Sequence, residues 1–418
     1  MEVNRRELLD RFVRYAKVET TANPESDDYP SSPGQRTLTA MLAKELSAMG
    51  AVDVKQDEHA LVFATIPSTL DRDVEVPVVA FNSHVDTSPE APGANVDPQI
   101  IENYQGGDIV LPKDKTKVIR VAESPELERL HGCTLITSDG TTLLGADDKA
   151  GVAIIMQTAA TLLANPTIVH GKLRILFTCD EEIGRGVDKV DLTELAADAC
   201  YTLDGPGANT VDVETFSADL ATVTIRGTNI HPAIAKDKMV NAIRAAGHFI
   251  EQLPKDTLAP ERTEHRQGFL HPYVIKGGVD DVTLKILLRD FETENLAKYA
   301  ERLRGYAEAT TDAVSGCEVH VEVTRQYRNM GDGLARDPRA ADNAELAHQR
   351  LGRQATREII RGGTDGSRLT ELGLPTPNLS SGQHNLHSCL EWACLDEMVQ
   401  AVEVLIELAQ VWAGASSS

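Results

Sequence analysis

Short apolar runs alternate with helical spacing in the first half of the chain. Residues 77–83, 173–179 and 199–204 are apolar segments of strand length, typical of strands buried on both faces of a sheet. Between the first two, residues 147–165 follow helical spacing, with apolar side chains at positions 152, 155, 156, 159 and 162. This alternation predicts an α/β fold with a mostly parallel sheet flanked by helices.

From about residue 217 the pattern changes to a β-α-β-β-α-β order, which is the ferredoxin-like arrangement. The α/β pattern then resumes and ends in a helix over residues 395–413. We therefore predict an α/β domain formed by residues 1–216 and 327–418, with residues 217–326 inserted into it as a compact α+β module.

The composition is that of a soluble globular protein, and 418 residues favour two or three domains. The formal net charge of −23 argues against nucleic acid and anionic membranes as partners. No apolar run reaches the length of a membrane span, and the charged N-terminal segment does not resemble a signal peptide. The six scattered cysteines indicate reduced thiols and a cytoplasmic location.

Acids and histidines follow the predicted strands, where ligand sites of such folds lie. They are His84, Asp86, Asp147, Asp148, Asp180, Glu181, Glu182, Asp204, His384 and His387. Each alone has an ordinary structural explanation, such as a helix cap or a solvated loop histidine. Together they form an acidic cluster with only Lys149 and Arg185 as nearby cations in the sequence, so two divalent cations are expected to balance it. Histidine and carboxylate ligands without cysteine suit zinc in an open catalytic site.

Six segments, in this order and spacing, resemble the peptidase T family of tripeptide aminopeptidases. They are SHVDTSP (83–89), LLGADDKAG (143–151), DEEIGRG (180–186), NIHP (229–232), RGGTDGS (361–367) and NLSSGQHNLH (378–387). The family belongs to the di-zinc clan that includes aminoacylase and glutamate-releasing carboxypeptidases, and the likeness runs from about residue 8 to 410. It implies that residues 1–216 and 327–418 form a catalytic domain and that 217–326 form a lid, which carries the dimer contact in many relatives.

The resemblance also implies a ligand set for two zinc ions per subunit. Asp147 bridges both ions, His84 and Asp204 complete one site, and Glu182 and His387 complete the other. One bridging carboxylate is what a pair of closely spaced metals requires.

The remaining roles implied by the resemblance concern catalysis and substrate binding. Glu181 is the general base that takes a proton from the attacking water, and Asp86 lies behind His84 and tunes it. His231 on the lid reaches the site of the partner subunit in a homodimer and stabilises the oxyanion. Candidates for binding the substrate carboxylate or backbone are Asn241, Arg289 and Arg361. A cis peptide bond between Asp147 and Asp148 is also implied.

Two departures from the family pattern affect the rim of the site. After His387 the family usually continues with Gly-Lys-His-Glu, whereas this chain has Ser388 to Glu391, and Ala233 stands where a glycine is common. The preferred reading is an aminopeptidase acting on short peptides. The alternatives are a related dipeptidase or N-acyl amino acid deacylase, a non-catalytic binding protein, and a structural acidic cluster. The intact Glu181 and ligand set argue against the binding protein, and absence of bound metal in the purified protein would favour the structural cluster.

Overall fold

The computed structural model describes residues 3–414, which divide into two compact units. The first unit consists of three segments: the described chain up to Val213, Asp332–Glu358, and the described chain from Thr364 onward. The second unit comprises Glu214–Gly331 and Ile359–Gly363. The sequence-based boundaries at 216 and 326 lie a few residues from these, but the short segment 359–363 belongs to the second unit instead of the first.

Ten α-helices lie within residues 3–414, among them the two predicted over 147–165 and 395–413. They are α1 Arg5–Ala16, α2 Pro33–Met49, α3 Ala146–Ala164, α4 Leu192–Leu195, α5 Ala242–Glu251, α6 Thr293–Ala313, α7 Gly331–Arg336, α8 Arg339–Arg350, α9 Asp365–Glu371 and α10 Leu395–Trp412. Over residues 3–414, none of them is long and apolar enough to cross a membrane.

The strands are short in the first unit and longer in the second. They are β1 Val52–Gln56, β2 Val62–Ile66, β3 Val79–His84, β4 Gln99–Ile101, β5 Ile109–Val110, β6 Val118–Ile119, β7 Leu135–Thr137, β8 Leu173–Thr178, β9 Ala199–Pro206, β10 Thr210–Thr215, β11 Ser217–Arg226, β12 Phe269–Gly277, β13 Asp281–Asp290, β14 Glu318–Tyr327, β15 Thr356–Ile360, β16 Asn378–His384 and β17 Trp392–Cys394. Each of the three predicted strands of the first half is present, as β3, β8 and β9.

The main sheet is mixed, and only its centre is parallel. Its order is β1-β2-β8-β3-β9-β16-β17-β7-β4, and β8, β3, β9 and β16 run parallel. The outer strands pair antiparallel, so the prediction of a mostly parallel sheet holds for this centre alone. Strands β3 and β8 are joined through α3, whereas β1–β2 and β16–β17 are joined by short loops that allow only antiparallel pairing.

Helix α3 lies at the centre of the first unit's core. Its apolar side chains Val152, Ile155 and Met156 are at most 1% exposed, and they belong to one cluster with residues of α1, α2, β3, β9 and α10. A helix that is buried almost all round fixes the direction of its N-terminus firmly. That N-terminus carries Asp147 toward the carboxyl ends of the parallel strands.

The second unit has the predicted β-α-β-β-α-β order. Its four strands form an antiparallel sheet in the order β12-β13-β11-β14, and α5 and α6 pack against it. Inward-facing residues of β11 alternate with more exposed ones, as expected of a sheet covered on one face. Strand β12 is an edge strand, and its Tyr273 and Ile275 are exposed.

Candidate metal centre

The acids and histidines predicted to share one edge of the sheet lie at the ends of its parallel strands. His84 is the last residue of β3, and Asp204 lies near the end of β9. Glu181 and Glu182 lie in a single 3-10 turn shortly after β8, and Asp147 lies in the first turn of α3. Because neighbouring parallel strands end at the same edge, residues far apart in sequence converge there.

Asp147 stands between two groups of potential ligands. Its Oδ1 lies 3.1 Å from Nε2 of His84, and that nitrogen lies 3.8 Å from Oδ1 of Asp204. Its Oδ2 lies 3.2 Å from Nε2 of His387, and that nitrogen lies 3.0 Å from Oε2 of Glu182. Within each group of three residues the ligand atoms lie within 4.8 Å of one another. The two oxygens of Asp147 therefore face two separate groups of potential metal ligands.

The chemistry of these groups fits divalent cations. Oε1 of Glu182 is buried without a hydrogen-bond partner, which leaves it free to bind an ion. Burial raises the pKa of Glu182 to about 8 and that of Asp204 to about 6. Hydrogen bonds to Asp147 and Glu182 raise the pKa of His387 to about 11. Ionisation of the buried Glu182 and Asp204 carboxyl groups is therefore unfavourable without a counter-charge, which divalent cations would supply.

Asp86 positions His84, Glu181 and Glu182 through hydrogen bonds of its backbone and its side chain. The Nδ1–H of His84 is directed at the carbonyl oxygen of Asp86, 3.1 Å away, which leaves Nε2 facing Asp147. The fully buried carboxylate of Asp86 accepts the backbone N–H of Glu181 at 3.1 Å and of Glu182 at 3.0 Å. Asp86 therefore connects the histidine of one group to the turn that carries both glutamates.

Glu181 and Glu182 differ in their surroundings, although they are adjacent in the chain. The Glu182 side chain is 5% exposed and lies against His387, whereas that of Glu181 is 16% exposed and has its Oε2 4.0 Å from Nε2 of His84. Burial raises the pKa of Glu181 well above its usual value, which favours the proton-holding form. Glu181 is thus close to the ligands and more open to a reactant than Glu182.

The other acids beside these ligands have structural partners. Asp180 accepts hydrogen bonds from Ser31 N at 2.8 Å and Gln35 Nε2 at 2.6 Å, so it ties the end of β8 to the start of α2. Asp148 accepts from Ser83 Oγ and the backbone N–H of His84. The peptide bond between Asp147 and Asp148 is cis, as the resemblance implies.

Glu391 was missed by sequence reasoning as a part of this site. It is 1% exposed, and its Oε2 accepts the backbone N–H of Leu144 at 2.7 Å and of Gly145 at 2.8 Å. Its Oε1 accepts the N–H of Asp147 at 3.0 Å. Glu391 therefore holds the loop that presents the bridging carboxylate. The available signal was an acid set between Leu390 and Trp392 in an otherwise apolar run.

His384 lies outside both groups, although it is close to His387 in sequence. Its ring stacks on Trp392 with a centroid distance of 3.8 Å, and its Nε2 is 2.7 Å from Oε2 of Glu397. Its Nδ1 lies 3.6 Å from Oε1 of Glu126. His387, and not His384, therefore faces the carboxylates of the centre.

The four residues predicted to bind substrate or oxyanion all lie in the second unit. His231 is exposed and accepts the N–H of Ala233 through Nδ1, while Asn241 is the N-cap of α5. Arg289 is largely buried and donates to the carbonyl oxygens of Asp219 and Leu288. Arg361 donates to the carbonyl oxygens of residues 265 and 267. These hydrogen bonds give Asn241, Arg289 and Arg361 a structural role, and their roles in substrate binding stay predictions.

The sequence is similar to known peptidases over nearly its whole length. The profile of peptidase family M20/M25/M40 matches residues 143–411. The chain is 43% identical over 408 residues to "Peptidase T" of Geobacillus kaustophilus, with 98% of each chain covered. It is 42% identical over 404 residues to "Peptidase T" of Bacillus subtilis, with 97% of this chain and 98% of the relative covered.

Solved structures give the same fold over nearly the whole chain. A tripeptidase from Staphylococcus aureus superposes with a TM-score of 0.76 at 25% identity, covering 99% of both chains. The aminopeptidase PepT of Bacillus cereus gives a TM-score of 0.74 at 23% identity, covering 98% of this chain and 99% of that one. The YXEP protein of Bacillus subtilis, a dinuclear metal-binding peptidase, gives 0.64 at 18% identity, covering 99% of both.

Proposed function

This chain belongs to peptidase family M20/M25/M40 and to the peptidase T group within it, and we propose that it removes the N-terminal residue from tripeptides by metal-dependent hydrolysis. The observation that carries the proposal is the placement of Asp147, whose two oxygens face separate groups of histidine and carboxylate ligands. Full-length similarity to peptidases T supports the choice of substrate class.

The finer proposal for the centre is two zinc ions per subunit. His84 and Asp204 would hold one ion, Glu182 and His387 the other, with Asp147 shared between them. Two histidines and three carboxylates, without cysteine, form a ligand set that suits catalytic zinc. Bound there, the ions would supply positive charge that polarises the scissile carbonyl and favours ionisation of water.

Glu181 is proposed to move the proton. Its carboxyl group borders the ligand cluster without belonging to either group of three. It takes a proton from the attacking water and gives it to the leaving amine, a role typically worth about 10²–10⁴-fold in rate. Asp86 supports this step, because its carboxylate fixes the backbone from which Glu181 projects.

The proposed assembly is a homodimer in which His231 stabilises the oxyanion in the partner's site. The exposed position of His231 and the exposed apolar residues Tyr273 and Ile275 on the edge strand β12 support this. Substrate contacts are proposed for Asn241, Arg289 and Arg361. A cytoplasmic location is proposed from the six free cysteines, which suit a reducing compartment.

The decisive experiment combines metal content with peptide hydrolysis in two variants. We expect Glu181→Gln to keep both ions and to lose about 10²–10⁴-fold in kcat on a tripeptide. We expect Glu182→Gln to lose one ion, or to bind it far more weakly, together with activity. Asp180→Asn is the matched control in the same acidic run, since Asp180 contacts Ser31 and Gln35 and should leave the metal content unchanged.

Three results would contradict the proposal. Full activity after chelation would exclude a metal-dependent reaction. Loss of an ion in Glu181→Gln, with Glu182→Gln fully loaded, would exchange the two roles. Hydrolysis of N-acyl amino acids in preference to tripeptides with a free amino group would favour the related deacylase activity.

Complementation tests the dimer. His231→Ala and Glu181→Gln subunits are each expected to be nearly inactive, but a mixed dimer contains one site with both residues intact. Recovery of activity on mixing supports action across subunits. Failure to recover, with exchange of subunits verified, would show that His231 does not act in the partner's site.

A further inference from the structure

A third group of potential metal ligands lies away from the proposed catalytic centre, in the first unit. It consists of Cys133, Cys394 and Asp396, whose ligand atoms lie within 4.8 Å of one another. In the ladder between β7 and β17, Cys394 pairs with Leu135, and Cys133 precedes Leu135 by two residues. Because strand residues two apart face the same side, the two thiols meet on one face.

The three residues lie beside an open cavity of about 580 Å³, and Cys133 and Asp396 are among its lining residues. The lining also carries Glu126 and Glu397, with Arg129 and His384 beside them, and Nε2 of His384 lies 2.7 Å from Oε2 of Glu397. The cavity gives solvent, and a cation dissolved in it, access to the thiol of Cys133, which is partly exposed.

We propose that Cys133, Cys394 and Asp396 form a binding site for a thiophilic divalent cation such as zinc. Two sulfur ligands and one carboxylate oxygen suit zinc, which takes four ligands, and the adjoining cavity would let water supply the fourth. The site is separate from the proposed catalytic one, which contains no cysteine, and it does not depend on the proposed peptidase activity.

Asp396 has other partners that the cation would have to accommodate. Its Oδ2 accepts the backbone N–H of Thr134 at 2.8 Å, and its Oδ1 is 2.7 Å from Nη1 of Arg5. The Arg5 side chain is 43% exposed, so it can move into solvent while the backbone contact stays. A carboxylate has further lone pairs, so the bond to Thr134 also orients it for an ion.

Disulfide formation between the two thiols is the competing outcome. Burial raises the pKa of both the Cys133 and the Cys394 thiol, and nearby carboxylates raise them further. Thiols held in the protonated form react slowly with oxidants, because the thiolate is the nucleophile. A cation, in contrast, compensates the negative charge that disfavours the thiolates.

The test uses the reduced full-length protein titrated with Co²⁺, because cobalt bound to thiolate gives a ligand-to-metal charge-transfer absorption. The proposed catalytic ligands contain no sulfur, so this absorption reports on the thiol site alone. We expect it to saturate in the wild type at an amplitude that corresponds to one thiol site per chain, while the proposed catalytic positions take up cobalt without contributing to this absorption. Cys133→Ser should weaken Co²⁺ binding at this site by at least about 10–100-fold, because even mutation of a residue that only hydrogen-bonds to a metal ligand typically lowers metal affinity by that factor. Cys317→Ser, a buried cysteine of the second unit, is the matched control and should keep the absorption.

Four results decide the matter. Absorption that depends on both Cys133 and Cys394, with circular dichroism unchanged in Cys133→Ser, supports the site. Absence of absorption in the reduced wild type would overturn it, as would absorption that persists in Cys133→Ser. Rapid formation of a Cys133–Cys394 disulfide by hydrogen peroxide, without cobalt absorption after reduction, would identify a redox pair instead.

Discussion

Replacing Glu391 by Gln should weaken metal binding without changing any proposed ligand. The buried carboxylate of Glu391 accepts three backbone N–H groups, from Leu144, Gly145 and Asp147. Glutamine has nearly the same shape but only one acceptor oxygen. Its amide group must face at least one of these N–H groups and cannot accept from it.

The size of the effect follows from the number of N–H groups left unpaired. If the oxygen of glutamine replaces Oε2, the N–H groups of Leu144 and Gly145 remain paired and only that of Asp147 loses its acceptor. One buried unpaired group costs about 1–3 kcal/mol, which a protein with about 5–15 kcal/mol of stability survives. Glu391→Ala would leave all three unpaired, at roughly 3–9 kcal/mol, and is therefore the less informative variant.

The assay measures the affinity for the metal ions, kcat on a tripeptide and the free energy of unfolding. Burial raises the pKa of Glu391 to about 7, so the measurements belong at a higher pH, where the carboxylate is ionised. We expect metal affinity to fall by about 10–100-fold, because the backbone of Asp147 is no longer fixed. Glu128→Gln removes the same charge at an exposed position and should change neither the metal affinity nor kcat nor the free energy of unfolding. Wild-type metal affinity and stability in Glu391→Gln would refute the reasoning.

Other contacts give three further expectations. Asn241 caps α5, so Asn241→Ala should lower the free energy of unfolding by about 1 kcal/mol. Asn241→Asp keeps the cap, so a raised KM in this variant with unchanged stability would support a substrate contact. Burial raises the pKa of Asp212 to about 7, so stability from its bound proton is fully present below about pH 4 and is lost as the pH rises through about 7. Urea unfolding between about pH 5 and pH 8 should therefore show a steeper decline for the wild type than for Asp212→Asn, and equal slopes would contradict this. The hydroxyl of Tyr201 bonds to the carbonyl of Ala340 and the indole N–H of Trp412, so Tyr201→Phe should cost about 1–3 kcal/mol in urea unfolding, whereas Tyr273→Phe on the exposed edge should cost almost nothing.

The elements of this fold could be predicted from sequence wherever their signals are local. Helix α3 was predicted over 147–165 and extends over Ala146–Ala164, because its apolar positions repeat at helical intervals. The antiparallel outer strands were not predicted, since pairing direction depends on which strands meet and not on the pattern within either one. For the same reason the proximity of Cys133 and Cys394 could not be predicted from scattered cysteines, although Cys394 lies in β17 and Cys133 lies just before β7, which pairs with it.

Glu391 shows why part of the site escaped sequence reasoning. Its three donors lie more than 240 residues earlier in the chain, so no local pattern connects it to Asp147. The local feature of the sequence at this point is the departure from the family pattern at Ser388 to Glu391. Yet this segment is closed by its own hydrogen bonds, since Ser388 Oγ donates to Asn385 O at 2.8 Å and accepts the N–H of Leu390 at 3.1 Å. His387 on one side and Glu391 on the other contact the centre through their own side chains. The intervening residues can therefore change the rim of the site while the bridging carboxylate and its support stay in place.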